Sequence, residues 1–149
     1  MNVEFERMKI AHLNGVKAIE NISFATPWSR QSFVYELTQN SFAHYIVALV
    51  ENKVVGYAGM WVIVDEAHIT NVAVHTDYRG QRIGFALMQQ MLVRAALRGA
   101  NRMTLEVRGT NVIAKRLYSQ MGFKEAGVRK GYYDDTKDDA IIMWKEGLL

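Results

Sequence analysis

The stretch Tyr78–Leu92, YRGQRIGFALMQQML, places two glycines directly before a run of apolar residues at helical spacing. Gly80 and Gly84 allow the backbone to turn tightly and to expose its N–H groups. A helix that begins here adds N–H donors without partners and the positive end of its dipole. Helix starts of this kind attract anions, phosphate above all. The stretch therefore predicts an anion-binding turn between a strand and a helix.

The neighbouring segments favour this interpretation over an ordinary turn, which short glycine motifs match by chance. An apolar strand, AHITNVAV, precedes the turn, and the helical segment FALMQQML follows it. The turn lacks the paired glycines of dinucleotide-binding loops and the G-K-S/T of nucleotide P-loops. Neither of those nucleotide-binding classes therefore fits the sequence.

The rest of the chain alternates between the apolar periods of strands and helices. Strands are predicted for NVEFERM, HYIVALV, Lys53–Val64, Ala67–Val74, NRMTLEV and AIIMWK. Helices are predicted for NGVKAIENISF, SRQSFVYELTQ, the segment from Gly84 to Gly99, and NVIAKRLYSQMG, whose apolar side carries Ile113, Leu117 and Met121. This order describes an α/β (α+β) fold with a mixed sheet of six to seven strands flanked by about four helices.

Composition bounds the class of protein. At 149 residues with half of them apolar, the chain is long enough for one domain, residues 1–149, with its own core. It has no cysteine, which excludes disulfides, thiolate metal sites and a cysteine nucleophile. The N-terminal segment lacks the apolar core of a signal peptide, and no stretch is long enough to span a membrane. We therefore expect a cytoplasmic protein without a membrane partner.

Two long segments together resemble the acetyl-coenzyme A core of the GNAT N-acetyltransferases: ITNVAVHTDYRGQRIGFALMQQML and MTLEVRGTNVIAKRLYSQMGFKEAG. The family turn reads Gln or Arg, two residues, Gly, one residue, then Gly or Ala. Arg79 and Gly84 fill its first and last positions, whereas Arg82 stands where the family has glycine. Further segments, including TPWS, LYSQMGF and RKGYYDDTKDDAIIMWK, are similar to the RimI-like branch, which acetylates protein N-termini.

This resemblance implies a GNAT fold and acetyl-coenzyme A as the acetyl donor, with no metal. It implies Glu106 as general base acting through a water, and Tyr118 as general acid toward the coenzyme A thiolate. The residues it implies for cofactor binding are Val72, Ala73, Val74, Arg79, Gly80, Gln81, Arg82, Ile83, Gly84, Asn111 and Tyr118. Among these, the Val74 N–H is expected to face the developing oxyanion. Trp28, Tyr132 and Tyr133 are expected to contact the acceptor.

Some of these residues also have structural interpretations. Glu106 lies on the polar face of its strand, where apolar neighbours would raise its pKa, but it also fits a solvated strand residue. Tyr118 also fits a core aromatic, and the two tyrosines of GYYDD fit packing on the sheet. The acids after them fit either a solvated turn or contacts with a basic substrate. The four histidines lack metal-ligand spacing, so we expect structural or surface roles for them.

The chemistry of the acceptor favours an N-terminus. An α-amine has a pKa near ~8 and a lysine amine near ~10.4, so deprotonating lysine near neutrality costs roughly 3 kcal/mol more. The resemblance implies a small-subunit ribosomal protein as the partner, and we expect no direct contact with nucleic acid. A lysine or small-amine acetyltransferase and a non-catalytic coenzyme A-binding module remain open alternatives. We expect a monomer or a weak dimer.

Overall fold

The computed structural model describes residues 1–149 as one seven-stranded mixed sheet with four α-helices, which confirms the predicted fold class. The strands are β1 (Glu4–Arg7), β2 (Ala43–Val50), β3 (Lys53–Ile63), β4 (Glu66–Val74), β5 (Arg102–Arg108), β6 (Lys124–Arg129) and β7 (Ala140–Lys145). The helices are α1 (Leu13–Ser23), α2 (Arg30–Thr38), α3 (Ile83–Leu97) and α4 (Val112–Gln120). None of these helices has the length and apolar character needed to cross a membrane.

The strands lie in the order β1-β2-β3-β4-β5-β7-β6, and only β4 and β5 run parallel. The chain turns from β2 into β3 through Glu51 and Asn52, which both have positive φ, as a two-residue type I′ hairpin requires. Helices cover both faces of the sheet. On one face α1 and α2 bury Leu13, Val16 and Phe33, and on the other α3 buries a larger apolar cluster.

Helix α4 packs on the α3 side of the sheet through one stripe of residues. Its partly buried apolar residues are Ala114, Leu117 and Tyr118, and Met121 just after the helix continues the three- and four-residue spacing of one helix face. The assignment of Ile113 to this apolar side is wrong, because its side chain is 84% exposed. The stripe begins one residue later, at Ala114.

Strands β4 and β5 are paired only at their first three residues. Glu66–His68 aligns with Arg102–Thr104, and beyond this point no pairing joins the two strands. A bulge between β3 and β4 lies close to this position, since Gly59 pairs with Asn71 and the next residue pairs with Ile69. The sheet therefore opens a gap between the C-terminal parts of β4 and β5.

Glycine is required at the bulge because an aromatic ring lies directly against its backbone. A Cβ built on Gly59 would be 2.1 Å from Cε2 of Tyr45, far inside a normal contact. The Tyr45 hydroxyl donates a hydrogen bond to the buried carboxylate of Glu36 at 2.9 Å. The bulge next to the gap is thus fixed by packing from the α2 side.

Candidate active site

The gap exposes backbone donors of β4. The His75 N–H donates to the Val55 carbonyl on β3 at 2.8 Å. Because successive residues of a strand direct their backbone groups to opposite edges, the N–H groups of Val74 and Val72 point to the β5 side. The Val74 carbonyl on that side accepts a hydrogen bond from Arg79 Nε at 3.4 Å. Two unpaired amides therefore face the gap from β4.

The turn after β4 presents a larger set of free donors. None of the backbone N–H groups from Gly80 to Phe85 donates a hydrogen bond within the chain; the first to do so is that of Ala86, to Arg82. Gly80 and Arg82 have φ of 77° and 62°, a sharp turn that exposes these groups. With the α3 dipole behind them, these six consecutive free amides form the kind of donor set that favours anions.

Arg82 is the N-cap of α3 and adopts a left-handed conformation, with φ 62° and ψ 21°. Only glycine occupies this region without a steric penalty, so arginine is strained at the position where the related motif has glycine. Its guanidinium lies over the Phe85 ring, 4.5 Å from the centroid. The side chain is thus held against its own helix beside the free amides.

The other residues predicted to bind the cofactor differ in whether their side chains are exposed or buried. Gln81 is exposed in the turn, whereas Ile83 is buried beneath it. Gly84 lies near the end of β4, since a Cβ there would be 3.8 Å from Val74 Cγ2. The side chain of Ala73 packs into the α1–α2 core, so that residue can reach a ligand in the gap only through its backbone.

Asn111 caps helix α4. Its side-chain oxygen accepts a hydrogen bond from the Ala114 N–H at 3.1 Å, as the sequence predicts for a helix start. The residue is exposed, and its amide nitrogen makes no hydrogen bond in the chain. A role in cofactor binding would use that nitrogen or the backbone.

Glu106 and His68 form a close pair on the α1–α2 side of the sheet. His68 Nε2 lies 2.6 Å from Glu106 Oε2, and Trp61 packs edge-on to the imidazole with centroids 6.3 Å apart. Together they line a cavity of about 390 Å³, with Arg129 and Trp144 among its other walls. A carboxylate and an imidazole therefore meet at the start of the gap.

The prediction of a raised Glu106 pKa is wrong. The hydrogen bond from His68 lowers the pKa of Glu106 below its ordinary value, and this effect outweighs the opposing effect of burial. The electrostatic effects of His68 and Arg129 lower the Glu106 pKa further. Sequence reasoning gave His68 only a structural or surface role. The sequence does contain one indication of the His68–Glu106 contact. Both residues occupy polar positions in the alternating patterns of two strands that are adjacent in this fold.

Tyr118 lies on the opposite, α3 side of the sheet. Its ring packs against Phe123 with centroids 5.9 Å apart. Burial raises the pKa of the Tyr118 hydroxyl to about 12, and the nearby Tyr133 contributes to the same shift. Tyr118 is therefore a protonated donor at neutral pH. The gap lies between it and the face that carries Glu106.

The two predicted acceptor tyrosines lie in the connection between β6 and β7. Their rings pack at right angles with centroids 5.1 Å apart, and Tyr132 is 46% exposed. The Arg108 guanidinium lies over the Tyr133 ring at 4.0 Å and pairs with Asp135 at 2.8 Å and Asp138 at 3.4 Å. These two acids are therefore already engaged within the chain, contrary to the idea that the acidic run contacts a basic substrate.

Trp28 borders a second cavity, of about 400 Å³, in front of α2. Its ring packs on Phe33 at 5.4 Å, and its backbone N–H donates to the buried carboxylate of Glu20 at 2.8 Å. Trp61 lines both this cavity and the one that contains Glu106. Trp28 therefore lies along the same face as the His68–Glu106 pair.

No cluster of three or more His, Cys, Asp or Glu side chains suitable for a metal ion occurs in the structure.

Comparisons with known proteins agree with this geometry. The sequence profile of the acetyltransferase (GNAT) family matches residues 13–123. A Bacillus subtilis (strain 168) protein, provisionally named a ribosomal protein bS18-alanine N-acetyltransferase, is 40% identical over 92% of this chain and 91% of its own length. The Escherichia coli (strain K12) ribosomal protein bS18-alanine N-acetyltransferase is 36% identical over 84% of both chains.

Solved structures place the fold in the same group. The crystal structure of the ribosomal-protein-S18-alanine N-acetyltransferase from Escherichia coli superposes with a TM-score of 0.89, at 32% identity, over 97% of this chain and 94% of that one. The matching profile spans the turn after β4, the gap and helix α4. The chain therefore belongs to the acetyltransferase (GNAT) family.

Proposed function

We propose that this enzyme transfers an acetyl group from acetyl-coenzyme A to the α-amine of a protein N-terminus, and that its acceptor is the alanine N-terminus of ribosomal protein bS18. Two relatives, 40% and 36% identical to the chain, carry that activity in their names. The observation that carries the proposal is the set of six free amides at the start of α3, next to a gap that leads to Glu106.

The turn fits the diphosphate of coenzyme A. Free N–H groups at a helix start bind phosphate oxygens, and Gly80–Phe85 supplies six of them. The guanidinium groups of Arg79 and Arg82 add positive charge beside these amides. The Val72 and Val74 N–H groups would then hold the pantetheine arm and the thioester carbonyl. When bound, acetyl-coenzyme A supplies the acetyl group as a reactive thioester.

Two side chains of the site act on the charges that develop during the reaction. The Glu106 carboxylate supplies the negative charge that favours removal of a proton from the acceptor ammonium. Tyr118, with its pKa raised to about 12, stays protonated and can donate a hydrogen bond to the departing sulfur. Full transfer of the proton from Tyr118 to the coenzyme A thiolate, whose thiol has a pKa of ~8.5, would cost about 5 kcal/mol. We therefore assign Tyr118 the role of hydrogen-bond donor.

An N-terminal acceptor also suits the site. The α-amine loses its proton roughly 3 kcal/mol more easily than a lysine amine does, and the site has one carboxylate whose pKa is already low. We assign Trp28, Tyr132 and Tyr133 to the walls that hold the first residues of the acceptor. Aromatic side chains offer large apolar contact together with polar tips, as short peptide segments require.

The direct test compares two peptides with the N-terminal sequence of bS18, one with a free N-terminus and one blocked, each containing an internal lysine. Incubation with acetyl-coenzyme A should acetylate only the free α-amine, as read by mass spectrometry of fragments. The control is the Gln89→Ala variant, which changes an exposed residue of α3 and should acetylate the free α-amine at the wild-type rate. Acetylation of the internal lysine in both peptides, with the free α-amine left unmodified, would show that the acceptor is a lysine.

A further inference from the structure

The His68–Glu106 pair has a feature that a lone carboxylate base lacks. The two side chains are 2.6 Å apart, and the imidazole is 39% exposed whereas the carboxylate is 15% exposed. The other ring nitrogen, Nδ1, has no hydrogen-bond partner in the chain. The imidazole is thus the more accessible member of the pair.

The hydrogen bond sets the tautomer of the ring. A neutral imidazole carries one N–H, and an ionised carboxylate can only accept. With Nε2–H donating to Glu106, the lone pair of Nδ1 is left free to take a proton. A neutral imidazole is ordinarily a better proton acceptor than a glutamate carboxylate. Glu106, whose pKa is lowered in the structure, is the weaker acceptor of the two.

We propose that His68 takes the proton from the acceptor ammonium at Nδ1, while Glu106 fixes the ring in the Nε2–H tautomer and stabilises the imidazolium. This inference rests on the proposed amine acetylation. One proton passes from the ammonium to His68 and then to water. As the C–N bond forms and the C–S bond breaks, the second proton leaves the nitrogen and neutralises the departing thiolate.

The charged groups around the pair are consistent with this division of roles. Arg129 on β6 lines the same cavity and favours the ionised form of Glu106. Glu66 on β4 also lines the cavity, but its carboxylate is hydrogen-bonded to Arg102. Glu106 is therefore the carboxylate left to pair with His68.

The test uses substitutions that separate proton transfer from positioning. In His68→Gln, the side-chain amide can still donate to Glu106 but cannot accept a proton from an ammonium. We expect kcat to fall about 100-fold or more at neutral pH with KM for acetyl-coenzyme A unchanged. The acidic limb of the kcat profile should move to higher pH, because the variant reacts only with an amine that has already lost its proton. At pH values where the amine is already neutral, the difference from the wild type should narrow at least about tenfold.

Two results would overturn the proposal. If His68→Gln keeps its rate within about threefold and retains the acidic limb at the wild-type pH, Glu106 itself is the base. If the rate falls equally at every pH, His68 only positions its neighbour. The ratio of wild type to His68→Gln can be measured on whichever amine the enzyme accepts. A finding that lysine is the acceptor would therefore refute the proposed function and leave this test intact.

A spectroscopic measurement gives an answer that does not depend on turnover. In ¹⁵N–¹H correlation spectra of the free enzyme, the neutral His68 ring should be protonated at Nε2 and bare at Nδ1. Glu106→Gln should weaken this preference, because the amide removes the charge that fixes the tautomer. A dominant Nδ1–H tautomer in the wild type would contradict the proposed route of the proton.

Discussion

Because the backbone of Arg82 is left-handed, glycine should stabilise the protein relative to alanine at this position, the opposite of its effect inside a helix. At an ordinary helical position, glycine destabilises a protein by roughly 1 kcal/mol relative to alanine. At φ 62°, alanine carries a steric penalty of about 1–2 kcal/mol that glycine does not. Glycine also loses roughly 0.5–1 kcal/mol more conformational entropy on folding. Arg82→Gly should therefore be more stable than Arg82→Ala, by about 0.5–1 kcal/mol.

A matched pair at Gln89, exposed within α3, isolates the cause. Both substitutions at residue 82 remove the guanidinium and its contact with Phe85, so that loss cancels between them. At residue 89 the alanine variant should be more stable than the glycine variant. At residue 82 the alanine variant should be the less stable one. The difference between the two sites, about 1–2 kcal/mol, measures the left-handed penalty itself.

Urea unfolding followed by tryptophan fluorescence measures these free energies, provided that all four variants share one m value. For a chain of this size each kcal/mol also shifts Tm by about 2–4 °C. If glycine is the less stable residue at both positions by the same margin, residue 82 is not left-handed in solution. The turn described above would then be wrong at its central residue.

Three further predictions concern other parts of the site. Tyr118→Phe should lower kcat about 10- to 100-fold with little change in KM for acetyl-coenzyme A, since it removes one hydrogen bond to a developing charge. Asn111→Ala should lower the free energy of unfolding by about 1 kcal/mol, measured by urea titration, because the Ala114 N–H loses its cap. The lowered pKa of Glu106 stabilises the fold above about pH 4.5, and this stabilisation is lost as the pH falls through the folded-state value. Glu106→Gln should therefore lose less stability than the wild type on acidification below pH 4.5, as followed by thermal unfolding.

The sequence predicted those parts of the fold that depend on local pattern. Apolar alternation identified β3 and β4 nearly to their ends. The tight turn with free amides follows from two glycines between a strand and a helix, all within about twenty residues of sequence, and its binding of an anion stays a prediction. Each of these features depends on the backbone preferences of neighbouring residues, which a single sequence displays directly.

The His68–Glu106 pair could not be predicted in the same way. The two residues are 38 positions apart, and their contact depends on the register of two parallel strands. The direction of the Glu106 pKa shift follows from that contact, so a prediction from apolar neighbours alone had the wrong sign. Ile113 shows a smaller error of the same kind, because the helix face that packs is set by the partner sheet.

The early separation of β4 from β5 links the fold to its chemistry. Had the parallel pairing continued past His68, the Val72 and Val74 amides would bond to β5 and offer no donor to a ligand. The continued sheet would also separate Tyr118 on one face from Glu106 on the other. The bulge at Gly59, held by the Tyr45 ring, lies beside the point where the strands separate. A packing contact on the α2 side thus lies beside the point where the β4 amides become available to a ligand.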